Sequence, residues 1–112
     1  SIFSLKDARR LLELEAIDYV NIKLAKTAGI TQALQLADLS SSFGVKCMIG
    51  CMLEGPISVA AGVHVASAKA DIITMLDLDA VSLLASHPLQ TSIRFNESVI
   101  RLSEDVGLGV YL

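Results

Sequence analysis

Three stretches of this sequence place reactive side chains at spacings that chemistry can use. In "YVNIKLAK", Tyr19 to Lys26, alternation puts Tyr19, Asn21 and Lys23 on one face of a strand and Val20, Ile22 and Leu24 on the other. A lysine held partly out of water can serve as a general base. The alternative is an edge-strand lysine whose stem covers apolar surface while its ammonium stays in water. In "DLDA", Asp77 and Asp79 fall on one face with Leu78 opposite, roughly 7 Å apart along an extended chain. Two carboxylates that close repel each other unless a cation sits between them, and the candidates are a metal, Lys23 or a substrate ammonium. The alternative is that Asp79 caps a helix and Asp77 faces solvent. The third stretch, "GCMLEG" from Gly50 to Gly55, carries Cys51, Leu53 and Glu54 in a loop.

Other reactive residues read as structural. Cys47 and Cys51 sit four apart in an apolar run without a second pair, and His64 and His87 are not spaced to complete the roughly four ligands of a zinc site. Two buried free thiols in a reducing cytoplasm are the expectation. His64 reads as a packed core histidine and His87, before Pro88, as a turn residue. Met48, Met52 and Met75 read as core fillers, and Glu13 and Glu15 as solvated helix charges.

These side chains must be positioned by a small, apolar domain. The chain has 112 residues, 53% of them hydrophobic but only 4% aromatic, so its apolar mass is Leu, Ile, Val and Ala. With a mean hydropathy of +0.58, so short a chain has more apolar surface than it can hide, which implies surface meant for something further. A membrane span is not the explanation. The most apolar region, Val45 to Ala68, is broken by Glu54, Gly55, Pro56 and His64, where a spanning helix wants about 20 unbroken apolar residues. No basic segment followed by an apolar run marks a signal peptide, and the location expected is cytoplasmic. A net charge of −3 without a basic stripe argues against nucleic acid. The lack of an initiator Met fits a chain that starts mid-protein.

The order of elements follows from periodicity and punctuation. Ser4 caps a helix from Leu5 to Leu14, with Leu11, Leu12 and Leu14 as its apolar stripe. A strand from Tyr19 to Leu24, a turn at Thr27 to Gly29 and a helix from Thr31 to Phe43 stopped by Gly44 come next. Lys46 to Ile49 is a second strand, Pro56 opens a helix running from Ile57 to Ala68, and Asp71 to Leu76 is a third strand. From Val81 the pattern is less regular; "RFNESVIRL" supports strand or helix, and "GLG" a turn.

Strands alternating with helices over short connections mean parallel β-α units, and two or three such strands alone leave open edges. The fold class is therefore α/β, one arc of a larger sheet or barrel. Neither a G-x-G-x-x-G nor a Walker sequence follows any strand, which favours the barrel over a nucleotide-binding sheet. In a (β/α) barrel the active site lies at the C-terminal ends of the strands, where Lys23, the Gly50–Gly55 loop and Asp77 with Asp79 all fall.

Taken together and in this order, "DYVNIKLAKTAGI", "CMIGCMLEGPISVAAGVHVASAK" and "DLDA" resemble the enolase superfamily. Within it they resemble the muconate cycloisomerase subgroup, and most of all the dipeptide epimerases. The resemblance covers nearly the whole chain. It implies strands six to eight of a modified (β/α) barrel over residues 1–90, and over residues 91–112 a tail returning toward a capping domain. It implies that Lys23 is an acid/base lysine on one face of the substrate, moving the proton on the carbon next to a carboxylate. It implies that Asp77 and Asp79 hold a dipeptide's α-ammonium, and that Cys51 and Leu53 are loop positions contacting the dipeptide. Asn21 is a further candidate. A carbon acid next to a carboxylate needs its enolate stabilised, which the superfamily does with Mg²⁺.

The superfamily's metal ligands and opposite-face lysines belong to earlier strands, so no metal ligand is expected in this chain. "MLEG" is more similar to the muconate cycloisomerases, which leaves Glu54 as either a site acid or a helix-start charge. The reading is a segment of an Mg²⁺-dependent dipeptide epimerase, an isomerase, acting on a dipeptide such as Ala-Glu in the complete protein. Alternatives are a muconate-type cycloisomerase, an acylamino-acid-handling relative, or a catalytically incomplete fragment. In the last case the open edges drive self-association into a homo-oligomer or docking on a missing N-terminal half.

Overall fold

The computed structural model describes residues 4–80, 86, 89–96 and 98–111. Helix α1 spans Leu5–Glu13. Its first turn is closed by a reciprocal cap: the Asp7 N–H donates to Ser4 Oγ at 3.1 Å, and the Ser4 hydroxyl donates to Asp7 Oδ2 at 2.7 Å. Ala8 and Leu12, one turn apart, are its buried residues. Leu14 does not join them; the helix ends at Glu13, and Leu14 is 65% exposed just before Glu15 turns to a φ of 50°.

Strand β1 (Tyr19–Lys23), helix α2 (Ile30–Ser42), strand β2 (Lys46–Gly50), helix α3 (Pro56–Ala68) and strand β3 (Ile73–Asp77) follow. Gly44, at a φ of 72°, lets the chain leave α2 and turn into β2. β3 begins two residues later than expected because the segment before it closes a turn on the end of α3, with the N–H groups of Ile72 and Ile73 both donating to Lys69 O.

The three strands are parallel and lie in chain order, β1-β2-β3. Side chains at partnered positions share a face, so Val20, Cys47 and Ile73 lie on one side, as do Ile22 and Ile49. These pack under α2 and α3 against Ala33, Leu36, Ala37, Val59 and Val63. Small residues on the helices allow that close approach, and α3 buries eight of its thirteen residues on several sides, as a helix apolar all round must. The one hydroxyl buried in α2, Ser40, donates to Leu36 O at 2.8 Å.

The opposite face of the sheet is open. It carries Tyr19, Asn21 and Lys23 of β1 with Lys46, Met48 and Gly50 of β2 and Met75 and Asp77 of β3. Here the apolar excess surfaces: Tyr19 is 50% and Met75 43% exposed. Met52, in the loop after β2, and Met75, on this face, are therefore not core fillers: both stay exposed among the described residues. His64 is half-buried rather than packed in the core, and of the two thiols only Cys47 is buried.

Beyond the parallel sheet the pairing turns antiparallel. β4 (Gln90–Thr91) pairs with β7 (Val110–Tyr111), and β5 (Arg94–Asn96) pairs with β6 (Val99–Arg101), so these two segments of "RFNESVIRL" are strand rather than helix. The "GLG" turn is confirmed, and at Gly109 (φ 64°) a Cβ would stand 2.5 Å from Ser92 Oγ, so only glycine fits there. The expectation for His87 lies outside the described residues.

Candidate active site

Several of the polar candidates gather at the C-terminal edge of the open sheet face. Register aligns Lys23 of β1, Gly50 of β2 and Asp77 of β3 in one row across the sheet. Two strand spacings put the Cα atoms of Lys23 and Asp77 about 10 Å apart. Between them Gly50 contributes no side chain, and the space is used by its neighbours. A Cβ there would lie 3.0 Å from Asn21 Oδ1 and 3.3 Å from Lys23 Cε. Lys23, partly buried, leans over β2, and its ammonium donates to Met52 Sδ at 3.9 Å.

Asp77 and Asp79 are both exposed, while Leu78 between them is buried at 4% exposure. Leu78 fits against Gly62 of α3, where a Cβ would stand 3.3 Å from Leu78 Cδ2. The alternation expected for this stretch thus has a physical anchor: an apolar side chain driven into the sheet–helix core turns its two neighbours outward. The segment is tied to the loop after β2, because the Cys51 N–H donates to Asp77 O at 3.1 Å and the Cys51 thiol reaches the same oxygen at 3.4 Å.

That loop brings in the remaining candidates. Cys51 is partly buried and Leu53 is 73% exposed. Glu54, partly buried just before α3, accepts from Ser58 Oγ at 2.9 Å through Oε2, whereas Oε1 is buried with no partner among the described residues. A buried acceptor left unpaired is costly, on the order of 1–3 kcal/mol, so a donor for Oε1 has a place to act. Cys47 stands apart from this group. It lies under the helix face of β2, and burial pushes its thiol up, only partly offset by a hydrogen bond with Ser40.

The structure therefore brings Asn21, Lys23, Cys51 and Asp77 to one end of the sheet, with Leu53, Glu54 and Asp79 on the adjoining loops. Sequence reasoning placed the Gly50–Gly55 loop here but gave Gly50 no role, read Met52 as a filler, and passed over Ser58 entirely. The available signal for Gly50 was a glycine closing a strand, which marks a close approach of other atoms. Among the described residues no group of three or more His, Cys, Asp or Glu side chains could hold a metal ion. Among them too, no helix is long and apolar enough to cross a membrane.

Parallel β-α units with polar residues gathered at the C-terminal strand ends are the arrangement of a segment of an α/β barrel. The chain belongs to the family described as Enolase C-terminal domain-like, which matches residues 1–112. It is 46% identical over 110 residues to the L-Ala-D/L-Glu epimerase of Clostridium acetobutylicum, covering 98% of this chain and 30% of that protein. A solved dipeptide epimerase from Enterococcus faecalis V583, complexed with Mg and the dipeptide L-Leu-L-Tyr, matches with a TM-score of 0.93 at 35% identity, over 99% of this chain and 32% of its own. The N-succinyl Arg/Lys racemase of Bacillus cereus matches with a TM-score of 0.91 at 34% identity, over 99% of this chain and 29% of its own. The chain thus spans about a third or less of the length of these relatives, which are epimerases and racemases, and it forms a C-terminal segment of the barrel.

Proposed function

We propose that this chain supplies one proton-moving side and the ammonium-binding side of a dipeptide epimerase, in a complete protein that inverts the carbon next to a carboxylate. The observation that carries this reading is the Lys23–Gly50–Asp77 row on the open face. In a dipeptide, the ammonium of the first residue stands at most about 5 Å from the α-carbon of the second, given the 3.8 Å step between α-carbons. The gap of about 10 Å between the Lys23 and Asp77 backbones, shortened from both sides by their side chains, accommodates that span.

In the proposed step the unprotonated Lys23 amine takes the α-proton: the C–H bond breaks, an N–H bond forms, and the electron pair enters the enolate of the carboxylate. Return of a proton to the opposite face leaves the inverted centre. Asp77, with Asp79 beyond Leu78, attracts the substrate ammonium, and Cys51 and Leu53 border the dipeptide. Asn21 lies on the same face beside the lysine. Mg²⁺, present in the Enterococcus faecalis relative, would be held by residues outside these 112. Residues 1–90 are proposed as the barrel part and 91–112 as the returning tail, a division supported by the change from parallel to antiparallel pairing. The protein is proposed to work in the cytoplasm.

A second reading rests on Glu54. Its unpartnered buried oxygen favours a site acid over a helix-start charge, as in the muconate-type alternative. A third follows from the exposed Tyr19 and Met75, which favour docking of this face on an N-terminal half or on like chains.

The test is Lys23→Ala in the complete protein, followed by proton NMR of L-Ala-L-Glu in D₂O. The unsubstituted protein is expected to exchange the Glu α-proton and form the second diastereomer. Lys23→Ala should lose epimerisation by at least about a hundredfold, the lower range of a positioned acid/base. Retention of most of the rate would remove Lys23 from the mechanism.

A further inference from the structure

We infer that Gly50 is a positioning residue for the acid/base lysine, its missing side chain forming the socket that sets where the Lys23 ammonium stands. The inference rests on the reading of Lys23 as the base. Gly50 is buried at the centre of the row, the last residue of the central strand. It is not one of the glycines with a positive φ, so its backbone does not require glycine. What requires it is space. A Cβ would stand 3.0 Å from Asn21 Oδ1, 3.3 Å from Lys23 Cε and 3.5 Å from Asn21 Nδ2. The first two separations are tighter than ordinary contact, and the atoms met are the far ends of two flexible side chains rather than backbone.

This geometry makes a specific separation of effects. A methyl group at position 50 pushes the Lys23 stem and the Asn21 amide aside without disturbing the fold beneath them, since the helix-facing core lies on the other side of the sheet. Alanine also narrows the conformational freedom of the unfolded chain relative to glycine. The substitution should therefore leave the protein as stable as before, or more so, while displacing the ammonium from the reacting carbon. Misplacement by about 1 Å is enough to cost on the order of a hundredfold in rate. A glycine kept only for folding would show the opposite pattern.

The experiment is Gly50→Ala in the complete protein, with Gly50→Ser as a second, bulkier step. Thermal unfolding, kcat, KM and solvent-deuterium exchange are measured for each diastereomer of Ala-Glu. Expected are an unchanged or raised Tm, a kcat lower by about ten- to a hundredfold, and a KM within about threefold. Exchange with retention should fall far more for the diastereomer whose α-hydrogen faces Lys23 than for the other. A crystal structure of Gly50→Ala gives a readout that needs no turnover: Lys23 Nζ should move by about an ångström from its place 3.9 Å from Met52 Sδ. Equal loss for both diastereomers with a lowered Tm, or Lys23 and Asn21 unmoved in the crystal, would overturn the socket. Absence of any exchange by the unsubstituted protein would instead refute the reading of Lys23, and the crystal structure would still decide whether Gly50 positions it.

Discussion

Replacing Leu78 with alanine should be the most damaging single change to the carboxylate pair that touches neither carboxylate. Leu78 is 4% exposed and belongs to the core beneath the sheet. Truncation removes three carbon atoms, about 2.4 kcal/mol at about 0.8 kcal/mol per buried methylene. The cavity term adds to this, because the wall facing Leu78 is Gly62, which has no side chain to move into the hole. A total of about 3–4 kcal/mol is expected, within the range known for such truncations. The partner substitution sharpens the test. Gly62→Ala alone gains helix propensity of about 1 kcal/mol but sets a methyl 3.3 Å from Leu78 Cδ2, so crowding should cancel most of the gain. With Leu78→Ala already made, that methyl enters empty space, and the double variant should recover about 1–2 kcal/mol. Urea unfolding of the four proteins gives the coupling energy, and KM for the dipeptide reports whether Asp77 and Asp79 have lost their orientation. A Leu78→Ala cost below about 1 kcal/mol, or additivity of the two changes within about 0.5 kcal/mol, would show that this pair does not anchor the segment.

Three further outcomes can be measured, one at the site and two at the buried thiol. In the proposed epimerase, Asp77→Asn should raise KM for a dipeptide with a free amino group by about tenfold to a hundredfold, the worth of one charge-assisted hydrogen bond of about 1.5–3 kcal/mol, and leave KM for the same dipeptide with its amino group acetylated unchanged. Equal effects on both substrates would rule out Asp77 as the ammonium's partner. Cys47 should resist a thiol reagent at pH 8 in the folded protein while the partly exposed Cys51 reacts. Because burial raises the Cys47 value above its ordinary 9.0, the folded state holds that proton more tightly than the unfolded one. Stability from this group is thus intact below pH 9.0 and falls as pH rises beyond it, a decline that Cys47→Ala should flatten in urea titrations from pH 8 to pH 10.5.

The parallel β-α order was legible because it rests on local signals. Ser4, Gly44 and Pro56 punctuate the helices where the chain needs a cap, a left-handed residue and a preset φ, and β1 alternates without a break. The family resemblance was legible for a related reason: "DLDA" and "NIKL" combine a pattern-setting apolar residue with polar neighbours, and the match over residues 1–112 bears it out. What escaped were properties of the layers. The methionines on the open face and the half-buried His64 have the composition of core residues, and nothing local tells which side of a sheet will be covered. Gly50 escaped because its significance is an absence, visible only when the Lys23 and Asn21 side chains are placed beside it.

Comparing Lys23 with Lys46 and Lys69 explains why the row favours chemistry over simple cohesion. Lys69 makes an ion pair with Asp38 at 2.6 Å, and Lys46 gives a hydrogen bond to Asp71 O at 2.7 Å; both contacts tie surface elements together. Among the described residues the Lys23 ammonium has one hydrogen-bond partner, the Met52 thioether at 3.9 Å, and no carboxylate lies within ion-pair distance of it. A thioether is a weak acceptor that neutralises no charge. It can steer the end of a side chain by contact while leaving the nitrogen's hydrogen-bonding capacity for something else. Gly50 opens the space over which Lys23 reaches, Met52 limits where it ends, and Asp77 faces it across the gap with its backbone fixed by Cys51. A structural lysine would be better served by moving the carboxylate one strand nearer, onto the position that glycine occupies. Keeping cation and carboxylate a full strand apart, with an empty position between them, forgoes that ion pair and leaves a gap that a small zwitterion can bridge.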